Sequence, residues 1–465
     1  ITWTCGDFRA KRLFFDVGRF CVVRYFPLHN EMSSNPKDSK VATTSSIQRR
    51  ELRTLCGVGI LHAFTHVYHV ALMPLYLMIH EDLNSGSMDH TTFLMTAMMT
   101  AYFIPSYWVG ALADRMDRRK LLGIGLLING AGFAAFSQVD SYIGAVLCMV
   151  VSGVGGSFYH PAATAMIADQ FPQREGKAFG LVGIGASIGF LIGPVYSGWR
   201  ASASETLIGA AAWRGPVMEL GVAGVIAGLL FLWLAPKDCP GRNAPHTSPD
   251  RPQNKWMSSG IFIVLILTAL AFSLRDFTGF GMGSLGSLFL QKAHGWSVQE
   301  TGFALSMIFI GTIISNPVFG TLSDQRRFSW LAGVLVIAGC LVTTFPLLPS
   351  SFIMPALFIY GFFFIASYPM VEAALMEAAP VAYRGRISGL FVLVGGLIGN
   401  LAHWILGWRV ENLGSEAGQM SAYQSSFTTL GCLVVISLSG IFGFRYLIKA
   451  WKADEKHKAQ DNSIF

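Results

Sequence analysis

The sequence predicts an all-α integral membrane protein with twelve transmembrane helices, arranged as two six-helix bundles related by a pseudo-two-fold axis. Three observations carry this prediction: a lipid-soluble composition, a succession of apolar segments each long enough to cross a bilayer, and an internal repeat. Of 465 residues, 52% are hydrophobic and 13% charged, where a soluble chain carries about 25% charged residues.

A crossing needs ~20 apolar residues. Such segments are read at 53–80, 92–113, 120–138, 142–169, 176–198, 216–235, 259–291, 298–322, 329–348, 351–379, 385–408 and 423–447. Basic residues collect on alternate loops. One set holds Arg49, Arg50, Arg53, Arg115, Arg118, Arg119, Lys120, Arg174, Lys177, Lys237, Arg242, Arg251, Lys255, Arg326, Arg327, Arg384, Arg386 and the tail lysines, whereas the opposite set holds only Arg200, Arg214, Lys292 and Arg409. Cytoplasmic loops retain Lys and Arg, so both termini are expected in the cytoplasm of a multi-pass cell-membrane protein. Orientation accounts for the net charge of +7, and no nucleic-acid partner is implied. Seven cysteines in unpaired, scattered positions give no disulfide framework and no zinc motif.

The expected organisation is an N-terminal cytoplasmic extension (1–52), a six-helix bundle (53–235), a Pro-, Asn- and Lys-rich linker (236–258), a second bundle (259–448) and a basic tail (449–465). Residues 1–31 make a poor signal peptide because Asp16 and Arg19 break their apolar run, and Met32 is read as the natural start of a flexible tail. The two bundles repeat each other. Gly110-Ala-Leu-Ala-Asp114-Arg115 returns as Gly320-Thr-Leu-Ser-Asp324-Gln325, and His160-Pro161 with Pro172 and Gly176 returns as Tyr368-Pro369 with Pro380 and Gly385. A constant offset of about 210 residues indicates duplication. Proteins built from such repeats bind solutes near the bilayer midplane and rock one half against the other.

Ionisable residues inside the apolar segments fall almost entirely on the first, fourth, seventh and tenth. His62, His66 and His69 occupy one face of the first segment, at i, i+4 and i+7; His160 is in the fourth, Arg275 and Asp276 in the seventh, Glu372 and Glu377 in the tenth. The eleventh has only His403, and the other segments carry no charge in their interiors. A charge at the bilayer centre costs about 2.5–3.5 kcal/mol or more, so such groups face water, a partner or a substrate. Four helices spaced three apart are therefore expected to share one wet cavity, with Tyr68, Tyr159 and Tyr368 as aromatic lining.

Histidine titrates near physiological pH, so the stripe is a candidate proton carrier, as is the carboxyl of Glu372. The bland alternative for each histidine is an interhelical hydrogen bond of about 1 kcal/mol. His62, His66 and His69 have chelating spacing, but no carboxylate or thiol accompanies them, and neither a metal nor another cofactor is expected; the driving force would be a proton gradient. Arg275 cannot discharge and needs a permanent anion, either a solute or a protein acid. Asp276 is turned about 100° away around the helix, and Glu372 is the better expected partner. Glu377 is expected to meet Arg384 and Arg386.

Two motifs complete the reading. Gly110-x-Leu112-x-Asp114-Arg115-x-x-Arg118-Arg119-Lys120 directly follows a spanning helix. Gly110 would let helices approach closely, Asp114 would accept hydrogen bonds from a helix N-terminus, and the basic cluster would anchor at headgroups. The fifth segment contains Gly185-x-x-x-Gly189-x-x-x-Gly193-Pro194-x-x-Ser197-Gly198, a row of small residues suited to close packing.

At the first motif the chain resembles the major facilitator superfamily, over essentially residues 50–450. The resemblance implies a cytoplasmic gate built on Gly110, Asp114, Arg115, Arg118 and Asp324. The sequence departs from the family pattern at Asp117, where glycine is usual, and in a second copy truncated after Arg327. Gly189, Gly193, Pro194 and Gly198 are similar to the antiporter signature of proton-coupled drug exporters. Leu61-His62 with Tyr68 and Pro74, and Ser157-Phe158-Tyr159-His160-Pro161, resemble fosmidomycin-resistance-like exporters. The fourth-helix arginine of drug antiporters is absent, Val151 and Ser152 lying near its place.

The expected activity is alternating-access transport of a small organic solute by a monomer in a lipid bilayer, as proton-coupled efflux. A proton-coupled importer of an organic anion and a non-transporting receptor are the alternatives. No nucleophile with a placed base and no phosphate-binding loop supports an enzyme.

Overall fold

The computed structural model describes residues 36–171, 174–238, 259–379 and 384–461. Residues 1–35 of the expected extension (1–52), 239–258 of the expected linker (236–258) and the last four residues of the expected tail lie outside them. Among the described residues, ten stretches are long and apolar enough to cross a membrane. Gly176–Leu234 holds two crossings, and the more polar helix Met88–Ala113 supplies one outside the ten, which makes twelve.

The first half consists of α1 (Pro36–Val70), α2 (Tyr76–Asp82), α3 (Met88–Ala113), α4 (Arg118–Phe136), α5 (Tyr142–Gly156), α6 (Tyr159–Gln170), α7 (Glu175–Ile208) and α8 (Arg214–Leu234). The second half consists of α9 (Ser259–Lys292), α10 (Val298–Thr344), α11 (Ser350–Phe364), α12 (Ser367–Ala378), α13 (Arg384–Glu411), α14 (Gln424–Ile436) and α15 (Gly440–Asp461).

Several expected spans are broken, and the breaks have local causes. The fourth divides between α5 and α6 and the tenth between α11 and α12. In each, a proline without an N–H (Pro161, Pro369) follows a serine whose hydroxyl bonds back three residues, Ser157 to the Val154 carbonyl at 2.7 Å and Ser367 to the Phe364 carbonyl at 2.6 Å. The first span breaks at Met73–Leu75, where Pro74 starts a 3-10 turn. The eighth and ninth run together as α10, parted where the backbone of Arg326 leaves helical geometry (φ −137°, ψ 48°). Helical structure also begins at Pro36, within the expected flexible tail, and runs past 448 to Asp461.

The halves touch along α3–α13 and α7–α10, and where the turn after α1 meets α9 and α10. Hydrogen bonds between them among the described residues gather toward the end carrying the α2–α3 and α13–α14 connections. Gln291 donates to the Pro74 carbonyl at 3.1 Å, Thr96 to the Asn400 carbonyl at 3.1 Å, and the Met88 amide to Glu411 at 2.8 Å. Tyr76 and Ser284 share a 3.1 Å bond, and Ser284 also bonds His403 Nδ1 at 2.6 Å. A Cβ added to Gly180 or Gly183 on α7, Gly320 on α10 or Gly389 on α13 would meet nothing within 4 Å. Hydrogen bonding among the described residues thus joins the halves at one end.

Candidate functional site

The imidazoles of two crossings converge in the first half. His62, His66 and His69 share a face of α1, and the break before α6 places His160 opposite them. His66 Nε2 lies 3.1 Å from His62 Nε2, and His62 Nδ1 is 3.0 Å from the Val182 carbonyl on α7. His160 stands edge-on to His62 and His66, with ring centroids at 5.3 and 5.8 Å. His69 is buried and edge-on to Tyr102 at 4.8 Å. Tyr159 stacks on His62 at 4.7 Å while its hydroxyl donates to the Val58 carbonyl at 3.0 Å.

Tyr68 is not part of this lining. It follows His66 by two residues, about 200° around a helix; its ring packs on Phe133 at 4.6 Å and its hydroxyl donates to the Leu220 carbonyl at 3.0 Å. His403, bonded to Ser284, likewise belongs to the seal between the halves.

In the second half, Arg275 is 3% exposed and bonds the adjacent Asp276: Nε and Nη2 reach Oδ1 at 3.0 and 2.7 Å. Glu372, the partner expected from sequence, does not pair with it. The arginine side chain is long enough to curl back along its own helix and cancel the 100° between neighbours. Its guanidinium lies 4.0 Å from the ring centre of Tyr368 and 5.6 Å from that of Phe272, while Nη1 is buried without a partner. Tyr368 and Glu372 are exposed on one face of α12, at i and i+4. Glu372 makes no hydrogen bond or ion pair among the described residues.

Aromatic contacts join the two clusters across the seam. His66 packs on Phe190 at 4.2 Å, and Phe190 stacks on Phe309 of α10 at 4.7 Å and 8°. Tyr102 borders His69 and His160, and its neighbour Phe103 lies against Gly396 of α13. Next to it, a Cβ on Gly395 would stand 2.6 Å from Asp276 Oδ2. Sequence reasoning missed Tyr102, Phe190 and Phe309, because aromatic residues are too frequent in such a chain for any one to signal a seam.

The expected gate residues part company. Arg118 is buried, paired to Asp169 and, at 3.4 Å, to Asp238, and donates to the Ala113 carbonyl at 3.0 Å. Asp114 and Arg115 are exposed. The helix-capping role expected of Asp114 falls to Asp117, which accepts from the Arg119 amide at 3.1 Å and the Asp238 amide at 3.2 Å. Among the described residues, a Cβ added to Gly110 would meet only Pro161, at an ordinary 3.9 Å, so the close approach expected there does not occur. Asp324 is exposed. Glu377 pairs with Arg327 at 2.7 Å instead of with Arg384 or Arg386. The row of small residues in α7 does pack closely. Gly185 and Gly189 press on the backbone of Gly59 and Ala63, Gly193 meets Val67 and Val70, and Gly198 with Pro194 faces Gly302 of α10.

A family model described as Major Facilitator Superfamily matches residues 55–403. The chain belongs to the Major Facilitator Superfamily. It is therefore a multi-pass membrane transporter, not an enzyme. Among curated superfamily relatives, the fosmidomycin resistance protein of Escherichia coli (strain K12) is 21% identical over 399 residues, covering 83% of this chain and 93% of that protein. The quinolone resistance protein NorA of Staphylococcus aureus is 22% identical over 344 residues, covering 71% and 83%. Solved structures with the same fold include a bacterial homolog of the human lysosomal transporter Spinster in an inward-facing, unoccupied conformation (TM-score 0.70, 15% identity, 87% of this chain and 98% of that one). Another is a D-xylose–proton symporter (TM-score 0.65, 17% identity, 84% and 96%).

Proposed function

We propose that this transporter exports a small amphipathic organic solute in exchange for protons. The supporting observation is that the histidine cluster and the Arg275–Asp276–Tyr368 group lie on either side of the seam between the halves, with Phe190, Phe309 and Phe103 at that seam. Aromatic faces suit an apolar solute body, and few convergent polar groups suit its orientation. Residues 53–235 and 259–448 are read as the two rocking bundles. With the basic loops in the cytoplasm, both termini are cytoplasmic and the hydrogen-bonded end of the seam faces outward, so that solute loads from inside for export. The relatives whose names record resistance to quinolones and fosmidomycin support the outward direction.

Glu372 is the coupling residue in this reading: an exposed carboxyl with no partner among the described residues, one turn from Tyr368, can take a proton without dismantling an ion pair. Import of an organic anion draws on the unpaired Nη1 of Arg275; Asp276 already neutralises that cation, which favours efflux.

Reconstitution into liposomes with an imposed pH gradient tests the reading. Proton movement that appears only with a transported dye or quinolone, opposite in direction to it, supports exchange. Movement in the same direction supports import, and silence across a broad solute panel leaves a receptor. Glu372→Gln should abolish gradient-driven transport while preserving solute exchange, and unchanged driven transport would remove Glu372 from the relay.

A further inference from the structure

Chelating spacing in the sequence falls on His62, His66 and His69, all on one helix, where the sequence by itself leads to no expected metal. The fold replaces the third member: one ring nitrogen from each of His62, His66 and His160 lies within 4.8 Å of the others. We propose that these three residues bind a divalent transition-metal ion, with zinc as the representative probe.

The local hydrogen bonding prepares the first two ligands. A carbonyl only accepts, so His62 Nδ1 carries the proton it donates to Val182 at 3.0 Å, and His62 Nε2 is left with a bare lone pair. Fixing a ligating imidazole through a backbone carbonyl on its other nitrogen is the usual support of a metal-bound histidine. The bare Nε2 faces His66 Nε2 at 3.1 Å, and two nitrogens held about 2.0–2.1 Å from one tetrahedral ion stand roughly 3.3 Å apart. The i, i+4 pair is thus already at ligand separation.

His66 is not satisfied by protein groups alone. If its Nε2 carries the proton, its Nδ1 is a buried acceptor with no partner. If Nδ1 carries it, two lone pairs confront each other at Nε2, and a cation between them removes the conflict. His160 supplies the third nitrogen from α6, and its exposed ring is the one that must close the remaining distance. Three imidazoles with no thiolate suit zinc, copper or nickel. A fourth position would be left for water or for a donor atom of a solute. Such an ion would tie α1 to α6, two of the crossings that border the seam.

The full-length protein, purified without a polyhistidine tag and stripped with chelator, is titrated with zinc against a chromogenic indicator and with cobalt by visible absorption. One equivalent of zinc and the d–d bands of a tetrahedral cobalt site are expected. His160→Gln, at an exposed position, should lower affinity by more than about tenfold and erase the cobalt bands, and His62→Gln with His160→Gln should remove binding. His403→Gln, outside the cluster, should change neither. Absence of stoichiometric binding overturns the proposal, as does binding that survives His160→Gln unchanged; the latter would leave the cluster as a hydrogen-bonded imidazole set. The readout is metal binding alone, so it stands or falls independently of any transport assay.

Discussion

Arg327 Nη1 reaches Glu377 Oε2 at 2.7 Å, and this pair repeats in the second half the pair of Arg118 with Asp169 in the first. Glu377 lies nine positions after Tyr368 and Asp169 nine after His160, so duplication carried the acid with the break that precedes it. The acids are similarly exposed, Asp169 at 38% and Glu377 at 45%, and the difference lies at the cation: Arg118 is 6% exposed against 20% for Arg327, and Arg118 also pairs with Asp238, itself 8% exposed.

That difference fixes a stability ranking. Removing one partner of a buried pair costs about 3–5 kcal/mol, whereas exposed pairs contribute about 0–1 kcal/mol. Arg118→Ala is therefore expected to lower the unfolding temperature in detergent markedly and Arg327→Ala only slightly. Equal losses would contradict the assignment of Arg118 as the buried centre of its network.

Asp276→Asn strands Arg275 as an uncompensated buried cation. A loss of about 3–5 kcal/mol is expected, largely restored in Arg275→Gln with Asp276→Asn. If the double variant is no more stable than Asp276→Asn alone, the two residues do not form one unit. Thermal denaturation followed by fluorescence-detected chromatography would measure this.

Close packing of α7 on α1 gives a positional contrast along one helix. A side chain at Gly189 would run into the backbone of Ala63, but one at Gly180 meets nothing. Gly189→Val should abolish recovery of folded protein, while Gly180→Ala should leave expression and melting near wild type. Tolerance at 189 would mean that α7 sits differently.

Tyr76, Ser284 and His403 form a chain of hydrogen bonds across the closed end. Ser284→Ala cuts it at its centre and leaves two buried polar groups unmatched, at about 1–3 kcal/mol. The closed arrangement should lose population, and a cysteine placed at Thr96, buried in the α3–α13 seam, should react faster with a membrane-impermeant thiol reagent. An unchanged labelling rate would show that the network does not hold this end shut.

Fold class was readable because bilayer thickness imposes a length and a polarity on every crossing, and because a duplicated gene leaves a fixed offset between copies. The same rules marked His62, His66, His160, Arg275 and Glu372 as interior ionisable groups, since such residues rarely survive in apolar segments without a use. Their partners were not readable. Sequence spacing describes one helix at a time, so it could favour Glu372 for Arg275 but could not tell that the guanidinium folds onto Asp276 and under Tyr368. It could name a stripe of three histidines on α1, but not that the break before α6 aims His160 into it. The amino-acid order determined the crossings, the repeat and the residues that cannot face lipid. Which of those residues meet was decided only by tertiary structure, because side-chain pairing depends on distances between helices that no pattern within a helix encodes.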